Sequence, residues 1–198
     1  MMIATETHGR FEEARKAMID SQLRTSGINA GFVLARMATV PREDFVSEDL
    51  RAAAYADRAL QLPGGEALPA PVFHGMLLSE ARPAPEDRAL VVSGTGYLAA
   101  LLAPLVGEVQ QITPEKAAEG RIEGVPTLVL VDGAIEHVTP AFAAALDEGT
   151  RVVTGLAERG VTRLAAGRKT GGSLGLVALA ETGIPRLPAF DRKAGWSF

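Results

Sequence analysis

The residues best placed to do chemistry lie in one short stretch, Leu90-Val91-Val92-Ser93-Gly94-Thr95-Gly96-Tyr97. An apolar run rich in β-branched residues ends in a Gly-x-Gly turn and passes into a second apolar run. That order predicts a buried strand, a turn and a helix. Glycines at Gly94 and Gly96 let the backbone approach a ligand closely, and a helix start offers free N–H groups. In open α/β sheets a ligand sits at this edge of the strands. The same residues could also simply make a tight turn. Asp132 follows the apolar run Thr127–Val131 and falls at the same predicted edge, as a turn cap or as a polar contact in a cleft.

Other chemistry-bearing residues are isolated. His8, His74 and His137 are the only histidines and there is no cysteine, so thiolate sites and disulfides are absent and a His-rich zinc site does not form. His74, between Phe73 and Met76, reads as a packed helical residue. Glu136 and His137 read as exposed residues before a helix cap at Thr139. Asp57 and Arg58 fit a surface ion pair, and Arg168 and Lys169 fit solvated charge at a turn.

These residues need a scaffold, and the 198-residue chain has the composition for one. It is 47% hydrophobic and 22% charged, with a net charge of -4, which excludes a disordered chain and the basic footprint of a nucleic-acid binder. The charged N-terminal stretch is not a signal peptide, and no apolar run reaches the roughly 18 residues of a membrane span. The expected location is cytoplasmic. Helices are predicted over 10–26, 30–38, 42–54 and 72–81, with a proline-rich loop at 61–71. From residue 89 strands and helices alternate. Strands are expected at 89–92, 109–112, 127–131 and 151–154, and helices at 97–105 and 139–146. Residues 163–166 and 175–179 form a closing antiparallel pair about the turn at Lys169–Gly172. Phe190, Trp196 and Phe198 pin the tail. This predicts one α/β domain over 1–198, with a helical cap and loop over 1–85 and a mostly parallel sheet over 86–198.

Several segments carry a family resemblance. Gly94–Ala103 (GTGYLAALLA) resembles the GxGxGY turn of the S-adenosylmethionine-dependent protein-L-isoaspartate O-methyltransferases. Met18–Ile28, Val33–Val46 (with Val40-Pro41-Arg42-Glu43-Asp44-Phe45-Val46) and Ala54-Tyr55-Ala56-Asp57 resemble that family's earlier motifs. The resemblance implies a Rossmann-like methyltransferase sheet. It also implies methyl transfer from S-adenosylmethionine to the α-carboxylate of isoaspartyl residues in proteins or peptides. Ser93, Gly94, Thr95, Gly96, Tyr97, Thr113 and Asp132 would then hold cofactor, and Asp57, Pro69 and Pro71 would face substrate.

The chain departs from the family pattern at four places. Val92 replaces the first glycine, Thr113 the ribose-binding carboxylate (Glu115 lies two residues on), and Pro69 the serine beside the transferred methyl, leaving no catalytic residue assigned. Only thirteen residues, Pro114–Pro126, separate two strands where the family has a helix and a further strand, so the sheet is expected to be one strand short. The alternative is a pseudoenzyme or binding module that keeps the fold without cofactor or catalysis. Oligomeric state is open.

Overall fold

A computed structural model describes the backbone of residues 2–192 and side chains from residue 9 onward; Trp196 and Phe198 lie outside the described residues. The N-terminal part contains α1 (Met2–Met18), α2 (Gly31–Thr39), the two-residue strands β1 (Leu60–Gln61) and β2 (Ala67–Leu68), and α3 (Pro71–Ala81). The remainder contains β3 (Arg88–Val92), α4 (Tyr97–Leu102), β4 (Glu108–Ile112), α5 (Pro114–Ala118), β5 (Leu128–Ile135), α6 (Pro140–Ala144), β6 (Arg151–Glu158), β7 (Val161–Thr170) and β8 (Ser173–Glu181).

Six strands form one sheet in the order β4-β3-β5-β6-β7-β8. β4, β3, β5 and β6 run parallel, and β7 and β8 are antiparallel additions. The strand at 89–92 is flanked by those at 108–112 and 128–135, as expected. β4 is the sheet's edge, and among the described residues no strand lies beyond it. The β7–β8 turn is two residues long, with Gly171 and Gly172 at φ 58° and 78°. Both dihedrals fall where glycine is favoured, which suits the twist of a tight hairpin. Glu148 accepts from both of their N–H groups at 2.9 and 2.7 Å.

Strand alternation builds two cores. Ala89, Val91, Leu128, Leu130 and Ala134 face α1–α4, whereas Leu90, Val92, Val129, Val131 and Ile135 face Phe142, Leu146 and Phe190. β5 is buried along its whole length, as a parallel strand covered on both faces must be.

Several boundaries differ from the sequence reading. The first helix turns into a π-helical segment at Ile19–Leu23. There Ser21 and Thr25 hydroxyls bond back to the carbonyls of Ala17 and Ser21, which loosens the helical ladder. The helix expected over 42–54 is two 3-10 segments, Arg42–Phe45 and Glu48–Ala53. Val46 and Ser47 between them are extended, and this turns Phe45 onto Tyr97. The loop at 61–71 holds the β1–β2 hairpin, and β6 continues to Glu158. β5 does not stop at Val131. It continues through Asp132 to Ile135 across a register shift against β6. A later segment holds that extension: Ala134 N–H donates to the Pro185 carbonyl (2.7 Å), and Leu187 N–H donates to the Ala134 carbonyl (2.9 Å).

Candidate functional site

At the C-terminal ends of β3, β4 and β5 the structure has a cavity of about 300 Å³. Gly94, Pro114, Glu115 and Asp132 come from those strand ends, Gln61, Gly65, Glu66 and Ala67 from the hairpin above, and Pro185–Pro188 from the segment paired to β5. A cavity thus lies beneath the 61–71 loop and takes in Gly94 and Asp132 of the expected cofactor residues, but not Ser93, Thr95, Gly96, Tyr97 or Thr113. Its fourth wall, the 185–188 segment, was invisible in the sequence because nothing in its composition announces a pairing with a strand fifty residues earlier.

Gly94 is exposed to this cavity. A Cβ there would lie 2.5 Å from the Glu66 side chain, so the bare backbone admits Glu66. At Gly96 a Cβ would meet the Phe45 ring at 3.3 Å. The second glycine leaves room for the Phe45 ring and does not line the cavity. Neither has a positive φ, so close approach alone accounts for both.

The floor is a buried polar chain. Asp132, in β5, points to the same face as Leu128 and Leu130 and so towards α3. Its Oδ1 accepts from His74 Nε2 at 2.8 Å. Its Oδ2 accepts from Ser93 Oγ at 2.8 Å and from Thr95 Oγ1 at 3.4 Å. The other imidazole nitrogen, Nδ1, lies 3.2 Å from Nη1 of Arg42. Arg42 also donates from Nε to the Ala54 carbonyl (2.7 Å) and from Nη2 to the Pro69 carbonyl, and its guanidinium stacks 5.0 Å from the Tyr97 ring centroid. Arg42 and His74 are fully buried. Burial pushes the His74 imidazole below its ordinary value, and the attraction of Asp132 does not offset that. Burial likewise lowers Arg42 and raises the Tyr97 phenol.

The other expected site residues are dispersed. Thr113 is exposed and takes the role of helix cap, accepting from the Lys116 N–H at 3.5 Å, while Glu115 takes the place at the cavity wall. Ser93 and Thr95 reach Asp132 rather than the cavity. Tyr97 is buried against Phe45 and His74, so it does not face the cavity as expected. Asp57 is exposed and lines a separate cleft with Arg58, Val72 and Ile184. Pro69 is buried with its carbonyl held by Arg42, and Pro71 opens α3. His137 is partly buried, its Nδ1 2.9 Å from the Phe190 carbonyl. The sequence reading treated His74 as packing alone. Its partner lies 58 residues away, and only the strand–helix crossover joins them.

Comparison with known proteins agrees with this architecture. The family profile of protein-L-isoaspartate(D-aspartate) O-methyltransferase (PCMT) matches residues 13–123. The protein-L-isoaspartate O-methyltransferase of Koribacter versatilis is 36% identical over 190 residues, covering 83% of this chain and 86% of that protein. That of Herpetosiphon aurantiacus is 39% identical over 108 residues, 54% of this chain and about half (48%) of its own length. A crystal structure of a putative protein-L-isoaspartate O-methyltransferase from Plasmodium falciparum, in complex with S-adenosyl-L-homocysteine, matches with a TM-score of 0.69 at 17% identity. It covers 90% of this chain and 98% of that one, a likeness of fold. The parallel β3–β5 core, the glycine turn at its edge and the sequence match over most of the chain have one common explanation: this chain belongs to the protein-L-isoaspartate(D-aspartate) O-methyltransferase family.

Proposed function

We propose that this chain transfers a methyl group from S-adenosylmethionine to the α-carboxylate of isoaspartyl residues, with the nucleoside held in the 300 Å³ cavity. The observation that carries the reading is the convergence of Gly94, Glu115 and Asp132 at one sheet edge. The cavity suits the cofactor chemically. It is at the lower end of small-molecule sites, which run from roughly 300 to 1,000 Å³. Its walls carry three carboxylates, Glu66, Glu115 and Asp132, against one cation, Arg186, which is paired with Asp191 and Glu136, and this excess of negative charge favours a ligand with sulfonium and ammonium charge. Glu66 is exposed on the hairpin, and its side chain would have to turn aside for a ligand over Gly94.

Bound S-adenosylmethionine supplies an electrophilic methyl group. The chain's own residues supply position. Glu115 accepts hydrogen bonds from ligand hydroxyls, Gly94 leaves room at the turn, and the 185–188 segment excludes water from one side. The acceptor carboxylate is already ionised at neutral pH, so alignment and desolvation matter more than proton transfer. Isoaspartyl proteins or peptides are the partners this reading requires. The cysteine-free composition supports a cytoplasmic setting.

A second reading, cofactor binding without catalysis, is favoured by Pro69, which brings no hydroxyl to the family's serine position. Calorimetric titration with S-adenosylhomocysteine, paired with labelled-methyl transfer to an isoaspartyl peptide, separates the two. Binding and transfer are expected, with Glu115→Gln weakening binding roughly 5- to 30-fold, the loss of one charged hydrogen bond. Binding without transfer supports the second reading. No binding overturns both.

A further inference from the structure

The polar chain beneath the cavity has a directional logic that its distances alone fix. A guanidinium has only donors. The Arg42 Nη1 contact at 3.2 Å therefore requires His74 Nδ1 to accept. The imidazole proton then sits on Nε2 and is donated to Asp132 Oδ1 at 2.8 Å. Ser93 Oγ accepts from the Thr95 N–H (3.0 Å), which turns its own proton towards Asp132 Oδ2. Every contact thus uses Asp132 as an acceptor. This is not a nucleophile–base pair, because Ser93 and His74 both bond to the same carboxylate and the remaining imidazole nitrogen is taken by Arg42.

Asp132 also differs from the other carboxylates of the cavity. Glu66, Glu115 and the one cation of the lining, Arg186, are exposed, whereas Asp132 is 3% exposed and held on both oxygens. It is a negative charge fixed in the wall. S-adenosylmethionine and S-adenosylhomocysteine share nearly all of their shape and differ by one methyl group and one positive charge. A fixed carboxylate in a partly desolvated wall senses that charge. We propose that Asp132 is the charge-reading residue of this cavity, favouring the sulfonium reactant over its neutral product, and that His74, set by Arg42, is the positioning residue that holds it. The inference rests on the cavity being the S-adenosylmethionine site, and it adds a means of discriminating reactant from product.

The test is calorimetry of S-adenosylmethionine and S-adenosylhomocysteine against wild type, Asp132→Asn, His74→Gln and His74→Leu. Asp132→Asn should weaken the sulfonium ligand about tenfold more than the neutral one. His74→Leu should shift the ratio in the same direction. His74→Gln, which can still donate to Asp132 and accept from Arg42, should retain most of it. If Asp132→Asn does not fold, the His74 pair carries the comparison. ¹⁵N spectra of the imidazole at pH 6 give an independent readout, with Nε2 protonated and Nδ1 bare. Two charged groups face this ring, Arg42 and Asp132, and its aromatic neighbours are Phe73 and Tyr97. An unchanged ratio in Asp132→Asn or in His74→Leu, with both ligands binding, overturns this inference and leaves the site assignment standing. A protonated Nδ1 overturns the positioning role. If neither nucleoside binds the wild type, the site assignment fails and this inference with it.

Discussion

α3 is anchored at both ends by an arginine, and the two anchors are built to different specifications. At its N-terminal end Arg42 binds the Pro69 carbonyl and His74, and through His74 reaches Asp132. At its C-terminal end Arg151 donates to the Ala81 carbonyl and pairs with Asp87 at 2.6 Å, and Asp87 also accepts from Thr127 at 2.9 Å. The first anchor stands at the ligand edge of the sheet with no solvent access to Arg42 or His74. The second stands at the opposite edge, and the Arg151 side chain keeps 28% of its exposure. A fully buried charge costs much to desolvate and punishes the loss of its partner, whereas a pair with one partly exposed member does so less. The protein thus accepts a demanding arrangement where a carboxylate must be held still and a forgiving one where only a helix end must be fastened.

That contrast can be broken by substitution. Arg42→Met should have the largest effect, about 3–5 kcal/mol, because it leaves the Ala54 and Pro69 carbonyls and His74 Nδ1 buried without their donor. Thermal unfolding should fall by roughly 2–4 °C per kcal/mol for a chain of this size. Arg151→Met should cost less, about 1–2 kcal/mol in urea unfolding, since water replaces part of what is lost. Equal losses at the two positions would remove the distinction.

The pH response sharpens the comparison. Burial lowers His74 in the folded state, so the unfolded chain takes up more protons as pH falls below the ordinary imidazole value near 6.5. Stability contributed by the neutral ring is therefore present above that pH and is lost progressively below it. Chemical denaturation at pH 7.5 and 5.5 should show this loss, and His74→Gln should flatten it by about 1 kcal/mol or less, roughly one proton over part of a unit. At the other anchor, burial alone would raise Asp87, but its bonds to Arg151, the Ala84 N–H and Thr127 outweigh that and lower it. Its contribution is therefore full above the usual carboxylate value and is lost progressively as pH falls below it. The smallest structural effect is expected at Gly94→Ala, within about 0.5 kcal/mol, because only the far end of the exposed Glu66 side chain must move. The same substitution should weaken S-adenosylhomocysteine binding, and unchanged affinity would move the ligand away from the glycine turn.

The parts of this molecule legible in its sequence are those governed by local pattern. Leu90–Tyr97 announced a strand, turn and helix, and Gly171-Gly172 announced a hairpin, because period-two burial and tight-turn dihedrals act over a few residues. The Arg42–His74–Asp132 chain was illegible because its members sit in a 3-10 segment, a helix and a strand. A lone buried histidine has no local signature of its partner. Asp132 was placed after its strand rather than inside it for a related reason. The pairing that extends β5 comes from Pro185 and Leu187, far along the chain. Thr113 seemed the natural successor to a ribose-binding carboxylate, yet a threonine before Pro114 is also an effective helix cap, and capping prevailed.

The 185–188 wall also sets a timetable for biosynthesis. The glycine turn, Glu115 and Asp132 leave the ribosome well before it does. Until residue 188 has emerged, the cavity stands open along one side and the last turn of β5 has carbonyl and N–H groups without partners. A nascent chain of this protein therefore pairs its central parallel strands before the cavity is walled in, and the cavity takes its final shape only after residue 188 has emerged.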